Sequence, residues 1–201
     1  SLVGSEMCIR DSTNSTLDHM METLQHLDNL RLSGKIRHIG LSNETAWGTL
    51  RWLTTARTHN LPRMVSIQNE YSLLCRLFDL DMAELSHHEN IGLLSYSPLA
   101  AGLLSGKYAD GATPTGTRRS INADLGGRIN EHLWPALNGY LNIAERHELD
   151  PCQMALAWAA TRPFITSQII GATSITQLQT ALESTKITLS DAVMCDIQTV
   201  S

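Results

Sequence analysis

The order of elements along this chain predicts an α/β fold with a parallel sheet. Three observations carry that reading. Apolar residues at steps of three and four mark helices, and these alternate with short apolar runs of strand length. The pattern is one helix followed by strand–helix repeated four times, with extra helical pieces near the end. The strand runs are almost wholly apolar, as expected for strands covered by helices.

The first helix is carried by Leu17, Met20, Met21, Leu24, Leu27 and Leu30, and Gly34 can end it in a left-handed cap. KIRHIGLSN then reads as a strand from Ile36 to Leu41. A second helix runs from about Thr45 to His59 on Trp47, Leu50 and Leu53. Pro62 closes it, and Met64–Gln68 reads as a buried strand. A weaker helix covers 79–89, and Ile91–Tyr96 is the third strand. The stretch from Pro98 to Arg128 holds Gly102, Gly106, Gly111, Gly116, Gly126 and Gly127 and reads as a long irregular loop. A structureless loop of that length inside a compact domain is usually functional or disordered. Helix returns over 131–147 on Leu133, Leu137, Tyr140, Leu141 and Ala144. Asp150-Pro151-Cys152-Gln153 is a helix start: Asp150 caps, Pro151 fits the first turn and Gln153 can close a capping box. Ser167–Thr173 reads as the fourth strand, Ser174 and Gln177 as another helix start, and a last helix follows Ser190.

Composition narrows the function classes. The chain has 201 residues, 42% hydrophobic, which suffices for one compact core. A net charge of −5 with 17% charged residues gives no basic field for nucleic acid. Cys8, Cys75, Cys152 and Cys195 show no paired spacing, so neither a disulfide framework nor a zinc site is expected, and a reducing, cytoplasmic setting is. No apolar run approaches the roughly 18–20 residues of a membrane span. Residues 1–12, SLVGSEMCIRDS, have no sustained period and no signal-peptide pattern. They back-translate, with synonymous freedom, into a transposase-type sequencing adapter. The expectation is that they are non-native, that native sequence starts near Thr13, and that coding sequence upstream is missing.

Periodicity alone leaves two architectures open, a doubly wound sheet and part of a (β/α)8 barrel. Each strand ends in polar residues, Ser42-Asn43, Gln68-Asn69, Tyr96-Ser97 and Thr173-Ser174. That leans toward the barrel, whose active site gathers at the C-terminal strand ends. An open sheet also binds ligands beyond its strand ends, so the lean is modest.

Read together, GKIRHIGLSN, SIQNEYSLL, YSPLAAGLLSGKY and IIGATSITQL resemble the aldo-keto reductase superfamily. The nearest branch holds the bacterial Tas-type reductases and the potassium-channel β-subunits. The resemblance covers residues 14–200, with four motifs in order at suitable spacing. It implies a (β/α)8 TIM barrel that binds NADP(H) without a Rossmann domain. The strands here would be its strands five to eight, and residues 13–201 a partial domain. The family's catalytic Asp, Tyr, Lys and His come from the first half of the barrel. None has a matching position here, so no catalytic residue is named. Tyr96, His38 and Lys107 sit in other motifs.

What the resemblance implies is the cofactor half. Ser42 and Asn43 match the pair that bonds the nicotinamide carboxamide, and Gln68 completes the grip. An amide needs both donors and acceptors, which Asn and Gln offer. The plainer alternative is that Asn43 caps the next helix. Tyr96 matches the aromatic that stacks on the nicotinamide, or it is a core Tyr with its hydroxyl at the rim. Ser97, Leu99, Gly102, Ser105 and Lys107 match the loop around the pyrophosphate, where glycine allows close backbone approach and Lys brings positive charge. Arg118 and Arg119 lie in the same loop, either near phosphate or simply at the surface. Thr173 and Gln177 match positions at the adenosine end, beside a helix N-terminus that suits the 2′-phosphate. A capping box of Ser174 with Gln177 can coexist with that role. Thr180 and Ala181 stand where the channel β-subunits carry a Glu and an Asn on the adenine. That departure puts NADP over NAD in question.

His87-His88-Glu89 is a poor metal set, because adjacent residues on a helix point about 100° apart. Trp47, Trp52, Trp134 and Trp158 read as packing, with Trp134 near a loop that could line a substrate pocket. The expected activity of the parent protein is hydride transfer to a carbonyl substrate, an aldehyde or ketone. A second class is a cofactor-binding regulatory subunit of the channel β type. A third, from pattern alone, is an unrelated doubly wound domain that binds no NADPH. Half a barrel would leave sheet edges and an apolar face exposed, so self-association is a further expectation.

Overall fold

The computed structural model describes residues 14–200, with side chains from residue 19 onward. The segment 1–12 lies outside the described residues. The chain falls into two units, one made of residues up to 69 with 77–94, the other of 70–76 with 95 onward.

The first unit holds α1 (Asn14–Leu32), β1 (Ile39–Ser42), α2 (Ala46–Thr58), most of β2 (Met64–Glu70), α3 (Asp81–Glu89) and the start of β3 (Gly92–Tyr96). Helix α1 ends as its glycine suggests. Gly34 has φ +73, Lys35 N–H donates to Leu30 O at 3.0 Å and Gly34 N–H to Arg31 O at 3.0 Å. Those are the two bonds of a Schellman cap. Strand β1 runs parallel to β2, with Gly40 opposite Ser66, Leu41 opposite Ile67 and Ser42 opposite Gln68. A Cβ on Gly40 would stand 2.7 Å from Ser66 Oγ, so the strands meet where only glycine fits. Met20, Leu24, Leu53, Met64, Ile67 and Leu93 are buried in this unit.

Strand β1 begins at Ile39 rather than at Ile36. β2 starts at Met64, the partner of Ile39, so 36–38 have no ladder to join, and Arg37 and His38 are exposed. At the other end β2 runs two residues beyond the expected Gln68, through Asn69 and Glu70.

The second unit holds the end of β3, α4 (Arg118–Ile121), α5 (Leu133–Arg146), α6 (Pro151–Ala160), β4 (Ile165–Ile169), α7 (Ile175–Glu183) and α8 (Asp191–Thr199). In the first unit β3 neighbours β2; its end passes into the second, where the next strand in the sheet is β4. The core centres on Trp158, which is fully buried. Tyr71 stacks on it at 5.5 Å and Phe164 meets Tyr71 edge-on at 5.3 Å. The guanidinium groups of Arg162 and Arg76 lie 4.5 and 4.7 Å from the indole. Such cation–π contacts supply charge stabilisation without a carboxylate.

Strand β4 differs from the Ser167–Thr173 expected: it spans Ile165–Ile169. It stands last in the strand order, and Ile170–Thr173 lie beyond its end. The apolar pair that suggested a strand body, Ile169 and Ile170, is 40% and 37% exposed. The long stretch 98–128 is also less irregular than expected. It carries short 3₁₀ turns at Ala100–Ser105 and Ala109–Gly111 and the single turn of α4. Asp150 caps α6 by accepting from Gln153 N–H at 3.0 Å. The Gln153 side chain does not close a box there; it reaches Glu183 at 3.5 Å.

Candidate functional site

The expected carboxamide grip lies wholly in the first unit. The parallel register sets Ser42, buried at the end of β1, beside Gln68 on β2. Asn43 N–H then donates to Gln68 O at 2.9 Å, extending the ladder one step past the strand. Asn43 itself is exposed and takes φ +54, a left-handed backbone uncommon outside glycine. Helix α2 is capped by Thr45, whose Oγ1 accepts from Gly48 N–H at 3.1 Å. The alternative role for Asn43, capping that helix, is therefore filled by another residue.

The remaining expected residues lie in the second unit. Tyr96 ends β3 and its carbonyl accepts from Tyr71 N–H at 3.4 Å. Burial pushes the Tyr96 phenol above its ordinary value; the Glu70 carboxylate adds to the rise and Arg128 opposes it. The hydroxyl therefore stays protonated through neutral pH. Ser97 has φ +52, and Ala100, Ala101 and Gly102 follow with φ +47, +58 and +95. This winds the loop tightly: Gly102 N–H donates to Leu99 O at 2.9 Å, and Ser105 Oγ donates to Gly102 O at 2.7 Å. A Cβ on Gly102 would stand 2.8 Å from Lys107 Cε and Nζ, so glycine here is what lets the Lys107 side chain cross. The Lys107 ammonium lies 5.1 Å from the Tyr108 ring. Burial, then Asp150, push the Cys152 thiol up to about 11 against the pull of Lys107.

Thr173 and Gln177 come together at the start of α7. Gln177 Oε1 accepts from Thr173 N–H at 2.9 Å and from Thr173 Oγ1 at 3.1 Å. Ser174 caps the helix, accepting from Gln177 N–H at 3.2 Å. Both residues are exposed. Of the loop arginines, Arg119 is engaged, donating to Ala112 O at 2.7 Å and lying 5.2 Å from the Trp134 ring. Arg118 lines an open hollow with Ile121, Asn122, Leu125, Gly126 and Arg128. Trp52 and Trp158 are buried, whereas Trp47 is 46% exposed and does not pack as expected. Glu89 serves Arg57 at 2.8 Å and Arg63 at 3.7 Å, which gives it a structural use on α3.

Sequence reasoning passed over two features. One is Glu44, a carboxylate only 7% exposed beside Asn43. Its signal was the glycine four residues on, Gly48, which leaves room above it. The other is a fork between Arg128 and Glu70, with Nε–Oε1 and Nη2–Oε2 both 2.8 Å. It ties the end of the long loop to the end of β2. No short-range pattern links residues so far apart.

Comparison with known proteins assigns the class. The model of the Aldo/keto reductase family matches residues 9–201. The chain therefore belongs to the aldo/keto reductase family, with its α/β strands and helices in the sense of a half (β/α)8 barrel. It is 45% identical over 181 residues to protein tas of Escherichia coli (strain K12), covering 90% of this chain and 52% of that protein. It is 39% identical over 175 residues to an aldo-keto reductase of Babesia bovis, covering 84% of this chain and 60% of the relative. A probable voltage-gated potassium channel subunit beta of Arabidopsis thaliana is 29% identical over 153 residues, covering 70% and 47%. The chain thus spans about half the length of the curated relatives it matches. Among the described residues no helix is long and apolar enough to cross a membrane.

Proposed function

We propose that this chain is the C-terminal, cofactor-binding half of a cytoplasmic NADP(H)-dependent aldo-keto reductase acting on aldehydes or ketones. Family membership supports the reductase class. The observation that carries the cofactor reading is the pairing of Ser42 with Gln68, which sets a hydroxyl and an amide side by side next to exposed Asn43. That donor and acceptor set suits a carboxamide.

A dinucleotide held here would supply hydride chemistry between nicotinamide C4 and a carbonyl carbon. Ser42, Asn43 and Gln68 would hold the carboxamide and so restrict how the ring is oriented. Tyr96 supplies an aromatic platform and, being neutral, brings no charge to it. Ser97, Leu99, Gly102, Ser105 and Lys107 receive the pyrophosphate, with Lys107 as the counter-charge. Thr173 and Gln177 take the adenosine end, where Gln177 keeps its amide N–H₂ group for a phosphate oxygen. Proton donation falls to the part of the relatives that this chain does not span, so the 201-residue chain alone is expected to be inactive.

Fluorescence titration with NADPH tests the reading. Saturable binding is expected, weakened roughly tenfold in Gln68→Ala by loss of one or two hydrogen bonds. Absence of binding would overturn the cofactor reading. Saturable aldehyde reduction by the chain itself would overturn the assignment of proton donation elsewhere. The regulatory alternative draws on the Arabidopsis relative, whose 29% identity is below that of the Babesia reductase. Partner capture by the intact protein without carbonyl turnover would favour it.

A further inference from the structure

Asn43 holds a left-handed backbone although it carries a Cβ. Asn tolerates this region better than other residues with a Cβ, and here neighbouring bonds fix the turn as well. On one side its N–H is tied to Gln68 O at 2.9 Å. On the other side Glu44 collects bonds from three residues. Glu44 Oε1 accepts from Thr45 N–H at 2.9 Å, and Oε2 accepts from the Trp52 indole Nε1–H at 3.3 Å. The Glu44 carbonyl accepts from Asn69 Nδ2 at 3.0 Å. Burial alternates across the turn: Ser42 in, Asn43 out, Glu44 in.

A buried carboxylate is costly unless hydrogen-bonded. Here the N-terminus of α2 and the indole both offset that cost. The space is also shaped for it, since a Cβ on Gly48 would collide with the Glu44 carboxylate. The carboxylate is not needed as the helix cap, because Thr45 already accepts from Gly48 N–H.

We propose that Glu44 is a positioning residue: its carboxylate, clamped between Thr45 N–H and the Trp52 indole, holds the turn that presents Asn43 outward to the nicotinamide carboxamide. This rests on the reading of Asn43 given above. Its consequence is specific to one end of the cofactor.

The test compares two probes on the full 201-residue chain: NADP⁺, and 2′-phospho-ADP-ribose, which lacks the nicotinamide. Glu44→Gln keeps the shape but sets an N–H₂ group against an N–H donor. NADP⁺ affinity is expected to fall roughly tenfold, while 2′-phospho-ADP-ribose affinity stays within about twofold. Trp52→Phe, which keeps the Thr45 bond, should give a smaller loss with the same selectivity. Equal losses for both probes, or none for NADP⁺, would overturn the proposal. If the wild-type chain binds neither probe, the cofactor reading itself fails. The Asn43 side-chain amide resonances then decide the positioning claim separately: they should shift in Glu44→Gln, and unchanged resonances overturn it.

Discussion

The turn after β1 and the start of α7 are both expected to meet the cofactor, yet they are built differently. Around Asn43, backbone and side-chain bonds converge from Gln68, Asn69, Thr45 and Trp52, and the flanking residues Ser42 and Glu44 are buried. At Thr173–Gln177 the bonds are local, none spanning more than four residues, and α7 buries none of its residues. Its apolar stripe, Ile175, Leu178 and Leu182, is 76%, 43% and 57% exposed. The first region is held by bonds gathered from distant residues, the second mainly by local caps. A pre-formed grip costs little ordering on binding, whereas a locally capped one must be ordered by its ligand or by a neighbour.

The sharpest way to break this comparison is to substitute one leucine in each region. Leu53→Ala, at a site 1% exposed, should cost about 2–5 kcal/mol in urea unfolding. If it costs no more than a surface change, the packed description of the first unit is wrong. Arg128→Gln removes one partner of a largely buried fork and should cost about 1–3 kcal/mol. Arg128 lowers the Tyr96 phenol, so the same variant should move its spectrophotometric titration upward, and Glu70→Gln should move it downward. Ser174→Ala removes the α7 cap and should cost about 1 kcal/mol, read as faster amide exchange across Ile175–Glu183. Smallest of all, Leu182→Lys should change stability by less than about 0.5 kcal/mol. The self-association expected of exposed half-barrel edges should be unchanged by it, measured by sedimentation velocity. A large stability loss there would show that α7 is packed after all.

Much of this was legible beforehand because it depends on short stretches of chain. Steps of three and four placed the helices. Gly34, Asp150 and Ser174 terminate or cap them as their residue types suggest, since capping bonds join residues only three to five apart. The four motifs carried the family, and with it the residues assigned to the cofactor. What residue types and spacing settled on their own is thus the alternation of α and β elements and their caps. Strand lengths were decided by the tertiary structure: β1 waits for Met64 as a partner, and β4 ends at Ile169, short of the apolar run's end. So were the burial of Glu44 and the Arg128–Glu70 fork. Ladder pairing and desolvation are properties of residues brought together from distant places, and the chain order does not contain those distances.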